Sequence, residues 1–155
     1  MARNYKKVII ENAKLMYRNF AGEKTKFNPE GARNFCVVIP EEDVEKISSM
    51  GYTVKYTKPR FEDEEPVPYL KVHVSYRFDP PTIETIIGGK TRERLSESDI
   101  SILDWADITS ADVSFTGSDW ESRGDTGTSA YLDSLYANIE EDELRAKYAD
   151  IPYGN

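Results

Sequence analysis

Between Tyr69 and Tyr76 apolar and polar side chains take turns: Leu70, Val72 and Val74 fall on one side of an extended chain, Lys71, His73 and Ser75 on the other. A period of two suits a strand with one buried face. The same pattern returns along the chain with glycine and proline between the runs. Asn34 to Ile39 is a β-prone run ending at Pro40, and Tyr52 to Tyr56 alternates again. Gly88-Gly89 separates Thr82–Ile87 from Thr91–Leu95 as a hairpin turn does, and the stretch Arg123 to Gly127 separates Ile108–Trp120 from Ser129–Ile139 in the same way. Val8-Ile9-Ile10 and Leu15-Met16-Tyr17 read as one bent strand or two short ones. Helix signals are brief. Glu41 to Met50 has acids in its first turn and Gly51 beyond its end, and Ser96 with Asp99 three residues on predicts the start of a second short helix. Many strands and few helices predict a mainly β fold, a small barrel or sandwich.

At 155 residues one domain is expected, with enough buried surface to fold without a disulfide or metal. Residues 1–139 read as that domain. Residues 140–155, with five acids against two bases, read as an acidic C-terminal tail or a short helix. The lone Cys36 sits in an apolar run and fits a reducing compartment. No stretch of 18 apolar residues and no leader pattern follows Met1, so a soluble, cytoplasmic protein with no membrane partner is expected. The net charge of −8 speaks against a polyanion as partner until it is divided: residues 1–60 carry 12 Lys and Arg against 7 Asp and Glu, and residues 61–155 carry 8 against 21. Fields are screened beyond about 8–10 Å at physiological salt, so a basic face on an acidic protein is permitted.

Catalytic sets are scarce. One His and one Cys supply neither a zinc ligand set nor a nucleophile with its base. Gly88-Gly89-Lys90-Thr91 lacks the upstream glycine of a phosphate loop. The acidic runs Glu62 to Glu65 and Glu140 to Glu143 read as solvated surface. No enzyme and no cofactor is expected.

Lys14 to Asn34 is the informative stretch. Aromatic residues (Tyr17, Phe20, Phe27 and the adjoining Phe35) alternate there with cations (Lys14, Arg18, Lys24, Lys26, Arg33) and with the amides of Asn19, Asn28 and Asn34. Single-stranded nucleic acid needs this mixture, aromatic faces for bases and cations along the backbone, and stacking contributes about 1–3 kcal/mol per base. Tyr17, Phe20, Phe27, Tyr56 and Tyr76 are therefore candidates for stacking. Arg18, Lys24, Lys26, Arg33, Lys55, Lys58 and Arg60 are candidates for phosphates, with Lys71, His73 and Arg77 extending the same groove. A strand, a long basic loop and a second strand is also how small OB barrels hold oligonucleotides. The bland alternatives stay open at this point: Tyr17 as core, the lysines as loop solvation, the patch around Lys55 as a strand end.

Tyr17-Arg18-Asn19-Phe20-Ala21-Gly22, followed by Arg33 to Ile39, resembles a group of single-stranded-DNA-binding proteins of tailed bacteriophages. Lys58-Pro59-Arg60, Leu103 to Ile108, and Ala130-Tyr131-Leu132 leading into Ile139 to Asp142 resemble it too. The resemblance covers roughly residues 10–150. It implies an OB-like β-barrel that coats single-stranded DNA during phage replication or recombination without a cofactor, to which the strand and helix signals above add a hairpin and two short helices. An acidic tail on such a protein can compete with DNA for the basic groove and can dock phage replication or recombination proteins, and the oligomeric state stays open. The chain lacks the Gly/Pro/Gln-rich linker and apolar-tipped acidic tail of the bacterial proteins. The competing reading is an acidic protein-interaction or anti-defence module, mimicking DNA charge through residues 97–125 and 140–150.

Overall fold

The computed structural model describes residues 6–77, 79–140, 143–148 and 151–154. Strand β1 (Val8–Ala13) and β2 (Leu15–Asn19) are separated by Lys14 alone, yet they pair with different neighbours. β1 runs antiparallel to β8 (Ile108–Ser122), and β2 antiparallel to β3 (Arg33–Val38). Between them stand β9 (Asp125–Ile139) and β5 (Pro68–Val74), giving the order β1-β8-β9-β5-β3-β2. The two outermost strands of this path are thus consecutive in the chain. No ladder joins them among the described residues, so the sheet is open in its pairing rather than closed into a barrel.

Each strand at the junction bends at a register shift, β1 between Ile10 and Ala13 and β2 between Met16 and Asn19. Each shift holds a residue of left-handed backbone, Asn12 with φ 53° and Tyr17 with φ 48°. Such irregularities bend a strand and increase its twist. The Asn12 N–H donates to the Asp112 carboxylate at 2.9 Å, and the Lys14 carbonyl accepts from Val38 N–H at 2.9 Å, which carries the β2–β3 ladder up to the bend.

The long β8–β9 ladder turns on Arg123 and Gly124, both at positive φ (50° and 86°) as a type I′ connection requires. The strands therefore run nearer to the tip than the expected five-residue turn allows. β9 splays along its length: its first half pairs in parallel with β5, its second with β6 (Thr82–Ile87), on which β7 (Thr91–Arg94) folds back. β4 is only Lys55–Tyr56, against β5. Tyr52, expected to begin that strand, turns inward instead, donating its hydroxyl to the Lys6 carbonyl at 2.8 Å and meeting Phe115 edge-on.

Helix α1 (Glu41–Ser49) lies where acids, spacing and Gly51 predict it, with Ile47 buried. The second helix differs. It is a 3-10 turn over Ile100–Asp104, and Ser96 caps nothing because its hydroxyl donates to the Asp99 carboxylate at 2.8 Å. Ile100 and Leu103, three apart, are both buried, which suits the three-residue repeat. A short helix α2 spans Glu143–Tyr148. Of the acidic residues of segment 140–155, Glu141, Asp142 and Asp150 lie outside the described residues.

The core fills the inner face of the sheet with Phe35, Val37, Leu70, Val72, Phe115 and Leu135. Phe20 belongs to it as well, at 0% exposure and stacked on Phe35 with ring centres 5.0 Å apart. This corrects the expectation that Phe20 stacks on bases: its ring has no free face. Replacing Phe20 by Ala is expected to cost about 3–5 kcal/mol of stability, as for other large core rings. Phe27→Ala, at a ring 87% exposed, should change stability by less than about 0.5 kcal/mol. Urea midpoints of the two variants check this; equal midpoints would contradict the packing.

Candidate nucleic-acid interface

Alternation sets the two faces of β3 and β5. Phe35, Val37, Leu70, Val72 and Val74 face the core, so Asn34, Cys36, Lys71 and His73 face outward. This outer face is the floor of a groove of about 1800 Å³. β2 and the loop after it form one wall, with Tyr17, Arg18 and Phe27. β4 and the following loop form the other, with Lys55, Tyr56, Lys58 and Arg60. Lys14 and Lys71 bring the Lys and Arg residues lining the groove to six, against the two glutamates Glu23 and Glu64.

Nine of the fifteen candidate residues come together here: Tyr17, Arg18, Phe27, Lys55, Tyr56, Lys58, Arg60, Lys71 and His73. Tyr17 is exposed and meets Tyr69 edge-on, ring centres 5.6 Å apart. Its left-handed φ sits at the β2 register shift, which turns this ring out beside Met16. Arg18 is committed to structure at its guanidinium: one nitrogen donates to the carbonyls of Leu103 and Ala106, each at 2.8 Å. It straps the 3-10 turn to β2.

Six candidates do not line the groove. Phe20 is core. Lys24 and Lys26 are exposed on the loop, the Lys26 ammonium 5.9 Å from the centre of the Phe27 ring. Arg33 shares the core-side parity of Phe35 and emerges at the strand end, where it pairs with Glu97 at 2.6 Å and lies over the Tyr76 ring at 5.6 Å. Tyr76 follows the parity of Val74 to that same end, its hydroxyl buried with no hydrogen-bond partner among the described residues. Arg77 is exposed beyond the strand. Arg33 and Tyr76 are therefore corrected to the opposite side of the sheet from the groove floor.

The amides also have another task. Asn28 and Asn34 join at 2.9 Å, and the Asn28 amide donates to the carbonyls of Glu23 and Ala32, each at 3.0 Å. Asn19 exchanges two hydrogen bonds with the backbone of Glu23. These contacts hold the loop as a wall, and they bring Glu23 to the groove edge. Two lining aromatics were not among the candidates. Tyr69 has the parity of Lys71 and His73, which was a readable signal; Trp120, on the far β8–β9 ladder, offered none.

Burial shapes the chemistry of the floor. It pushes the Cys36 thiol up to about 11, against the pull of Lys71 and Lys55, so Cys36 is a neutral thiol at pH 7. Burial, and then Lys71, lowers His73 below its ordinary value. His73 also packs on Tyr131, ring centres 5.3 Å apart. Among the described residues no group of three or more His, Cys, Asp or Glu is placed to hold a metal ion. What remains is a long, open groove with Lys71 on its floor, further cations in its walls and exposed rings, suited to a flexible polyanion whose bases are unpaired.

Fold and groove describe an open β-sheet with a cation- and ring-lined outer face. The chain belongs to the family of phage ssDNA-binding domains, whose family model matches residues 1–155. Its fold is similar to that of the single-stranded DNA-binding protein of bacteriophage Enc34. A C-terminally truncated form of that protein aligns with TM-score 0.59 and 13% identity over 88% of this chain and 87% of that one. Another Enc34 structure aligns at 0.57 and 11% over 97% and 94%, and its complex with ssDNA at 0.55 and 13% over 92% and 94%. Comparison with curated proteins by sequence finds no match.

The lowered His73 value has a definite sign. The unfolded chain takes up a proton near pH 6.5, the folded chain only at lower pH. Stability from this group is therefore complete above about pH 6.5 and is lost as pH falls towards the folded value. Urea midpoints of wild type and His73→Gln measured from pH 8 to pH 5 should show a smaller loss in the variant. Parallel losses would contradict the shift.

Proposed function

We propose that the chain coats single-stranded DNA of any sequence through the groove over β2, β3, β4 and β5, and that it does so in phage DNA replication or recombination in the host cytoplasm. The observation that carries this reading is the meeting, around one outer sheet face, of Lys14, Lys55, Lys58, Arg60 and Lys71 with the exposed rings of Tyr17, Phe27 and Tyr56. Lys14, Lys55, Lys58, Arg60 and Lys71 take phosphates; Tyr17, Tyr56, Tyr69 and Phe27 take bases. Lys24 and Lys26 add positive potential from the loop. Arg18 acts through position, holding β2 against the 3-10 turn.

The curled sheet, with β1 and β2 continuous through Lys14, is read as OB-like, a fold whose strand faces and adjoining loops hold oligonucleotides. The task is binding without catalysis. Residues 140–155 are read as an acidic tail or short helix following the domain of residues 1–139, and as a dock for replication or recombination proteins. No helix among the described residues is long and apolar enough to cross a membrane.

Anisotropy of a labelled dT oligonucleotide tests the reading. Affinity should fall as salt rises, by about 0.7 in the log–log slope for each phosphate neutralised. Lys55→Ala and Lys71→Ala should each lower that slope by about this amount, and mixed-sequence strands should bind like dT. Binding that ignores salt, or none at low salt, would overturn the groove assignment.

A further inference from the structure

The face that carries the groove continues past β5. His73 lies beside Tyr131 in the β5–β9 register, and across β9 and β8 Ser129 opposes Ser118 and Gly127 opposes Trp120. Paired residues point to the same side of a sheet, as do alternate residues along a strand. His73, Tyr131, Ser129, Gly127 and Trp120 therefore share one outer face, while Ala130 and Leu132 alternate with them into the core.

Trp120 closes this row. It lines the groove and also a second hollow of about 510 Å³ at the tip of the β8–β9 ladder. Its seat is made by a missing side chain. A Cβ at Gly127 would come within 2.5–2.9 Å of indole Cζ2, Cε2 and Nε1, so the ring rests directly on the glycine backbone. Behind it, Asp119 accepts from Lys6 at 2.7 Å and from the Thr128 hydroxyl at 2.8 Å, which anchors this part of the ladder. The indole is held in place and still 43% exposed.

Its chain neighbours are Asp119 and Glu121. Both alternate to the other side of β8, and the residues that β8 and β9 add to the groove, Trp120, Thr128, Ser129 and Ala130, include no cation, so this end offers a nucleic acid an aromatic surface. We propose that Trp120 stacks on a nucleobase at the far end of the groove, a subsite that takes bases and leaves the phosphates to Lys14, Lys55, Lys58, Arg60 and Lys71. The proposal rests on the groove reading above and extends it across β9 onto β8. It makes Trp120 a contributor to affinity and not to the salt dependence.

The chain has two tryptophans, and Trp105 lines neither hollow. Trp105→Phe thus leaves Trp120 as the sole tryptophan emitter. Unlabelled dT strands of increasing length are titrated into this variant while its emission is followed, in parallel with anisotropy of a labelled strand. Emission should be quenched with the same midpoint as the anisotropy. Trp120→Ala should weaken binding about tenfold with an unchanged salt slope, and Trp120→Phe should keep most of the affinity. Gly127→Val, which displaces the indole without removing it, should weaken binding in parallel. If Trp120→Ala fails to fold, the quench in Trp105→Phe and the affinity of Gly127→Val decide. Binding with no quench and no loss in the Trp120 and Gly127 variants overturns the stacking assignment and leaves the groove reading standing. No anisotropy change in the wild type overturns both.

Discussion

The structure depends on a chain that changes partners at a single residue. Before Lys14 it pairs with β8, after Lys14 with β3, and those strands stand towards opposite ends of the hydrogen-bonded path. A sheet whose end strands are joined by one residue has to curl, and curling gives it an inside. Left-handed backbone at Tyr17 costs about 1–2 kcal/mol. Burying an aromatic ring such as Phe20 or Phe35 returns roughly 1.5–3 kcal/mol each, so the bend is sustained by the core it encloses. The same curl leaves the outer face of β3 and β5 bare between two walls.

Which cations serve that face is decided by what else they could bind. Arg18 lies next to carbonyls at the end of the 3-10 turn, and Arg33 next to Glu97 and the Tyr76 ring. Arginine's planar fork suits such multiple contacts, and both arginines are held in them. The lysines of the groove stand on β2, β4 and β5 or their flanks, a flexible set of point charges that suits a ligand without fixed sequence. Asp104 completes the division. Its carboxylate accepts from the N–H groups of Phe20 at 2.7 Å and Ala21 at 3.1 Å, so the turn that Arg18 straps also holds the start of the basic loop.

Local pattern revealed much of this. Alternation along residues 69–76 placed Lys71 and His73 on the outer face, and the acids and Gly51 around α1 marked that helix. The same rule, continued, puts Tyr76 with Val74 and Arg33 with Phe35, so their place away from the groove was readable from parity. Phe20 was not. Its neighbours are polar and glycine-rich, and it is fixed by a carboxylate 84 residues further along the chain. Trp120 was hidden for a related reason: Gly127, its seat, read as part of a turn, and only the β8–β9 register shows the two as a pair. Contacts across the sheet carry the information that neighbouring residues lack.

An acidic protein that holds a polyanion also asks how far its charges reach. Five of the groove's six cations, from Lys14 to Arg60, belong to residues 1–60, where 12 bases stand against 7 acids, and Lys71 lies beyond them on β5. Beyond about 8–10 Å the acids of the C-terminal half are screened at physiological salt, so the potential a phosphate meets is set by the walls. Glu84, the buried acid of β6, is held by the Arg92 guanidinium, which lowers its carboxyl below the usual range and offsets its negative charge locally. Glu23 and Glu64 are the exceptions, since both reach the groove. Glu64 accepts from the Arg60 N–H at 2.9 Å, and Glu23 is tied through its backbone to Asn19. Each stabilises a loop that carries cations or rings, so a modest loss of potential is coupled to the order of the walls themselves.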